Sequence, residues 1–228
     1  MLPSGHPTLR DEIAAVAARL IAEDGMDYAG AKRRAVRELV GDTREKLASD
    51  CMPDNATVQA AVRAHQALFM ADTQPARLSN LRRTAVEVMR FLDAFQPFLT
   101  GAAFNGTAGE HSDLHLQVFD DNAKDIEIFL LNAGIEFEVS QYEGNRRGTR
   151  DAAEVLSFVW PPRVSALRPG AHASPAEAVH LVVLDPRDLH GSRVAKTERG
   201  DLRAVETLIA DESATRDDAP RCPMIGDN

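Results

Sequence analysis

The chain of 228 residues is long enough for one well-buried domain, or for a modest domain with a helical attachment, and too short for several large ones. With 44% hydrophobic and 27% charged residues it reads as globular rather than disordered, and no run approaches the ~20 apolar residues of a membrane span. The net charge of -9 argues against a dedicated duplex-DNA binder, and it is local: residues 1–96 balance 13 bases with 13 acids, whereas residues 110–143 hold 9 acids against Lys124 alone. Cys51 and Cys222 have no partner at metal-ligand spacing, so neither a disulfide framework nor a zinc finger is expected. Met1 to Arg10 lack a basic stretch followed by an apolar core, so no secretory signal and a cytoplasmic location are expected.

In chain order, Ile13, Val16, Ala17 and Leu20 recur at helical steps, with Thr8 placed to cap the start and Gly25 to end it. A second helix, Tyr28 to Val40, closes at Gly41 and carries Lys32, Arg33, Arg34 and Arg37, a solvated basic face or a contact to RNA or another polyanion. A third helix runs from about Asn55 to Asp72, and Pro75 marks a break. The next has an apolar stripe of Leu78, Leu81, Ala85, Val88, Leu92 and Phe95, with Arg82, Arg83, Glu87, Arg90 and Asp93 mainly outside it; Pro97 stops it.

Beyond Pro97 the period changes. Phe98-Leu99-Thr100 leads into a Gly-bearing stretch, Gly101 to Ser112, and then Leu114, Leu116 and Val118 alternate with Asp113, His115 and Gln117 as in a half-buried strand. Asp120 or Asp121 can cap a helix from Asn122 to Ala133 that ends at Gly134. Further strands are expected over Ile135–Val139, Val155–Trp160 and Val179–Leu184, and a last helix over Asp201–Ile209. The expected architecture is α+β: a helical segment over 1–75, a small mixed sheet of about four or five strands with flanking helices over 76–210, and a disordered tail over 211–228. No Gly-x-Gly-x-x-Gly, P-loop, Gly-x-Ser-x-Gly or His-x-x-x-His pattern occurs.

The stretch from Leu99 to Val118 carries the chemistry. A strand ends at Gly101-Ala102, a gap of about ten residues follows, and Asp113-Leu114-His115-Leu116 opens the next strand. This resembles the nucleotidyltransferase superfamily of the DNA polymerase β type, in which an apolar residue, Gly and Gly or Ser precede, by such a gap, Asp-apolar-Asp-apolar. The resemblance covers about residues 78–140. It implies transfer of a nucleoside monophosphate from an NTP to a hydroxyl on RNA, a protein or a small molecule, with Mg²⁺ or Mn²⁺ held between carboxylates.

On that resemblance Asp113, Glu136 and Glu138 are the candidate catalytic carboxylates, and Asp113, His115 and Glu138 the metal ligands. Gly101, Ala102, Gly106, Ser112, Arg146 and Arg147 would meet the nucleotide. Two departures stand out. Ala102 lacks the family's serine hydroxyl, and His115 replaces the second Asp with a group that suits transition metals better than Mg²⁺. Three readings follow: a single-metal or Mn²⁺-tolerant enzyme, a site completed by Asp125 or Glu127, or a degenerate fold that binds a nucleotide or a partner without catalysis. On bland readings Asp113 opens a strand, His115 faces solvent, Glu136 and Glu138 form a wet strand face, and Arg146, Arg147 and Arg150 belong to a solvated loop.

Overall fold

The structure, a computed structural model, describes residues 8–41, 51–142, 153–160, 176–190 and 198–217. The chain divides into two compact units, one of Met1–Asn80 with Asn105–Asp113, the other of Leu81–Phe104 with Leu114–Asn228. The cut expected between residues 75 and 76 falls in the first turn of a helix, α4 below.

The first unit holds α1 (Leu9–Asp24), α2 (Tyr28–Val40), α3 (Asn55–Phe69) and the start of α4 (Gln74–Phe91). Local chemistry sets each start. Thr8 and Asp11 form a capping box on α1, the Thr8 hydroxyl accepting from the Asp11 N–H at 3.3 Å and the Asp11 carboxylate from the Thr8 N–H at 3.0 Å. Asp27 caps α2, and Asp54 caps α3 by accepting from the Thr57 N–H at 2.7 Å. Gly25 ends α1 at φ 66°, and a Cβ there would stand 2.6 Å from the His111 Cβ, so both conformation and space require glycine. The core joins Ile13, Ala17 and Leu20 of α1 to Ala31, Ala35 and Val36 of α2 and Val58 and Val62 of α3. Alanines at these contacts let the helix axes approach closely. Helix α3 ends at Phe69, short of the expected Asp72.

Hydrogen bonds from Thr8, side chain before backbone, hold the Asp11 carboxyl below the usual carboxylate range; those from Thr57, backbone before side chain, do the same for Asp54. Groups whose folded pKa is depressed stabilise the fold above their unfolded pKa, and that stability is lost as pH falls through the folded value. The helical signal is therefore expected to be flat above the usual Asp range and to decline below it. Replacing both residues with Asn should flatten that acid limb in thermal melts followed by circular dichroism.

Among the described residues, the second unit holds a six-stranded mixed sheet with flanking helices. Its elements are the remainder of α4, a 3₁₀ turn Asp93–Phe95, β1 (Phe98–Thr100), α5 (Gly101–Asn105), β2 (Leu114–Phe119), α6 (Ala123–Asn132), β3 (Phe137–Tyr142), β4 (Ala153–Trp160), β5 (Glu177–Leu184), β6 (Arg199–Gly200) and α7 (Leu202–Asp217). The strand order is β3-β4-β5-β2-β1-β6, with β2 and β5 parallel and every other neighbouring pair antiparallel.

Alternation decides the faces. Leu114, Leu116, Val118, Leu156, Phe158, Val179, Leu181 and Val183 point to the same side and are buried. Trp160 shares that side; Phe91 of α4 packs its ring 5.1 Å from Trp160 and 4.9 Å from Phe129 of α6. Arg90 pairs with Glu206 at 2.7 Å, tying α4 to α7. Of the expected stripe, Leu78, Leu81, Ala85 and Val88 of α4 and Leu92 just beyond its end are buried and Phe95 is half-buried, while Val86 and Met89, outside that stripe, are buried as well.

The expected α+β architecture of a mixed sheet with flanking helices is present, and to the expected four or five strands the described residues add the two-residue β6 beside β1. Several expectations are corrected. Asn122 rather than an aspartate caps α6; Asp120 instead accepts from the Asn122 N–H at 2.9 Å. Strand β3 starts at Phe137, since Ile135 is taken up in closing α6 through its N–H to Leu130. Helix α7 continues to Asp217, so the segment from Asp211 to there is helix and not tail; residues 218–228 lie outside the described residues.

Candidate functional site

The site begins at the end of β1. Gly101 takes φ 68°, left-handed backbone that turns the chain directly from strand into α5, and a Cβ there would stand 3.6 Å from the His115 Cδ2. Thr100 lies opposite His115, and its hydroxyl donates to the His115 carbonyl at 3.1 Å. Ala102 is half-buried and Ala103 fully buried.

The turn is fixed from beneath by Arg82 of α4, which is only 4% exposed. Its guanidinium donates to the Ala103 carbonyl at 2.8 Å and to the Phe104 carbonyl at 2.8 Å, and pairs with Glu212 of α7. Burial pulls the Arg82 pKa below its ordinary value, opposed by the Glu212 charge and hydrogen bond. Arg82, expected mainly outside the apolar stripe, is thus buried. A signal was present: Arg82 stands four residues after Leu78 and three before Ala85, so it falls on the helix face that packs inward.

On the sheet face opposite α4 and α6, a row of polar side chains crosses all six strands in register. It runs Glu138, Ser157, His180, His115, Thr100, Arg199 from β3 to β6. At its centre the His115 and His180 rings stack at 5.1 Å between centroids, 22° from parallel. Ser157 Oγ lies 2.9 Å from His180 Nδ1, a hydrogen bond. His115 is exposed and His180 half-buried.

The carboxylates are placed elsewhere. Glu138 is exposed at the far end of this row, three strand spacings from His115, or about 14 Å. Glu136 is exposed just before β3. The strand that follows β2 in the chain, β3, is not its neighbour in the sheet. The chain instead makes an antiparallel excursion through β3 and β4, and it is β5 that returns beside β2, with His180 in register with His115. Asp125 and Glu127 ride on α6, across the helix-covered face; Glu127 is engaged by Lys124 at 2.7 Å. The acidity of this region is thus spread over both faces and one edge rather than focused at a point.

In the first unit, Gly106, Ser112 and Asp113 belong to the Asn105–Asp113 loop. Side chains of α3 and α4 hold its carbonyls: Arg63 donates to Asn105 at 2.9 Å, Gln66 to Thr107 at 2.8 Å, Gln74 to Gly106 and Ala108 at 3.1 and 3.0 Å, and Arg77 to Ser112 at 3.2 Å. The Ser112 hydroxyl accepts from the Gly109 N–H at 2.9 Å, so it stabilises the loop internally. Asp113 is half-buried. Arg146, Arg147 and Arg150 lie outside the described residues.

Among the described residues, no three His, Cys, Asp or Glu side chains gather to hold a metal ion, and no helix is long and apolar enough to cross a membrane. The central donors of this row are the His115 and His180 imidazoles and the Thr100 and Ser157 hydroxyls. Mg²⁺ demands hard oxygen ligands in near-octahedral array, so this set does not fit the Mg²⁺ pair that the resemblance implies. No protein-family model, curated protein or solved structure matches the chain.

Proposed function

We propose that the second unit is a nucleotidyltransferase-like fold that binds a nucleoside triphosphate at the Gly101 end of its open sheet face, without operating two-Mg²⁺ nucleotidyl transfer. A cytoplasmic setting, where such triphosphates are abundant, goes with this reading. The observation that carries it is the pairing of His115 with His180 where the resemblance calls for carboxylates on neighbouring strands. Transfer to a hydroxyl of RNA, protein or a small molecule needs metal to neutralise the phosphates and activate the acceptor. Phosphate binding alone needs less. A left-handed glycine turn exposes backbone N–H groups to an anion, and the absent Cβ at Gly101 lets a ligand approach β2 closely.

The test is a calorimetric titration of the full chain, in chelator, with ATP, GTP, CTP and UTP in turn. A saturable one-to-one isotherm is expected with at least one of them. Gly101→Val should weaken binding by about tenfold or more, since the side chain both strains the turn and fills the approach. An absence of binding to all four, or equal binding by a folded Gly101→Val protein, would contradict the reading.

A further inference from the structure

We infer that Arg199 and Gln117, set beside the rings of Phe98 and Phe119, form the subsite that takes the nucleobase of the bound triphosphate. The inference rests on the nucleotide reading above and adds where on the sheet face the base end of the ligand lies. Arg199 of β6 is the register partner of Thr100, and Phe98 of β1 that of Gln117; Phe119 follows Gln117 by two residues on β2, so all four share the face that carries His115. From its place beside Thr100 the Arg199 side chain runs back along the sheet, away from Gly101. Its guanidinium carbon stands 5.1 Å from the Phe98 ring centroid and 4.9 Å from that of Phe119, and the two rings meet edge to face at 5.7 Å.

Hydrogen bonding in this patch is incomplete. The guanidinium donates through Nη2 to the Leu189 carbonyl at 2.9 Å, whereas Nη1 is buried and has no hydrogen-bond partner among the described residues. Gln117 Oε1 is in the same condition. A donor and an acceptor are thus both unmet, and each is destabilising while it stays so. Both residues are half-buried, so a ligand reaches these atoms by side-chain rotation, with no movement of the strands. A nucleobase answers both groups: its edge sets an acceptor beside an N–H donor, and its flat face stacks on a guanidinium plane. A phosphate offers acceptors only and leaves Gln117 Oε1 unmet. Phe98 precedes Gly101 by three residues, about 10 Å along the strand, a span that a ribose and its first phosphates bridge.

The experiment is a calorimetric comparison, in chelator, of the full chain with its Arg199→Met, Arg199→Lys and Gln117→Leu variants, thermal melts establishing that each folds. The ligands are ATP, GTP, CTP and UTP, and inorganic tripolyphosphate, which has the charge and no base. Arg199→Met and Gln117→Leu are each expected to lose about tenfold in affinity for the nucleoside triphosphate that binds the parent, and to change tripolyphosphate binding less than about threefold. Arg199→Lys keeps the charge and loses the planar group, so it should behave as Arg199→Met does. Nucleotide binding equal to the parent's in a folded Arg199→Met or Gln117→Leu protein overturns the assignment. So does an Arg199→Met protein that loses tripolyphosphate as strongly as nucleotide, since Arg199 then meets phosphate. If Gly101→Val still weakens nucleotide binding in such a case, the proposed function stands, so the two failures are distinguishable.

Discussion

Arg82→Ala is expected to destabilise the second unit by about 3–5 kcal/mol, more than a surface substitution on the same helix. The loss has two parts. The Ala103 and Phe104 carbonyls lose their donors, and Glu212, itself partly buried, loses its counter-charge. Arg82→Lys keeps the charge but not the planar fork that reaches both carbonyls and the carboxylate at once, so it should recover only part of the loss. The double variant Arg82→Met with Glu212→Met removes both charges together and should be less destabilised than Arg82→Ala. Urea unfolding of the four proteins, with the slope of each transition checked for constancy, measures these differences.

Leu181→Ala is the second large effect, expected at about 2–5 kcal/mol. Leu181 lies on β5 at the middle of the sheet, in register with Leu116 on one side and Leu156 on the other, and all three are 0% exposed. Removing it opens a cavity that strands pinned on both sides cannot collapse to fill. Leu181→Met, which conserves volume, should cost less than about 1.5 kcal/mol. Because residue 181 points away from the His115 and His180 face, nucleotide affinity of the folded Leu181→Ala protein should be close to that of the parent. Thermal denaturation gives the first quantity and calorimetry the second.

Much of this fold is legible in the sequence because its signals are local. Thr8, Gly25 and Gly41 mark helix ends through caps that each residue makes with its own neighbours, and the 3.6-residue stripe of α4 reports burial without knowledge of what covers it. The Leu114, Leu116, Val118 alternation likewise identifies a strand with one buried face.

Strand order is the part that local signals do not carry. Ile135–Val139 and Val179–Leu184 both read as strands, yet nothing within either says which will hydrogen-bond to β2. That is settled by the excursion through β3 and β4, which returns the chain in parallel. The candidate site inherits this limit: Glu138 was legible as a strand residue, and its distance from His115 was not. Arg82 was hidden for a different reason. Its helical position is inward, but a lone sequence gives no sign of the two carbonyls and the carboxylate, from 21 to 130 residues away, that make burying a guanidinium tolerable. β6 has only two residues, too few for any alternation to appear.

On the function proposed above, this sheet face binds a nucleoside triphosphate without the carboxylate-held Mg²⁺ that its spacing resembles. The most direct measurement is the affinity of the triphosphate that binds the full chain, determined by calorimetry in chelator and again in millimolar Mg²⁺, for the parent and for Asp113→Ala. Mg²⁺ is expected to change the affinity less than about threefold, a difference below about 0.7 kcal/mol, and Asp113→Ala to preserve this indifference. Tightening by Mg²⁺ of tenfold or more that disappears in Asp113→Ala would contradict it, and would restore Asp113 as the ligand of a working metal site.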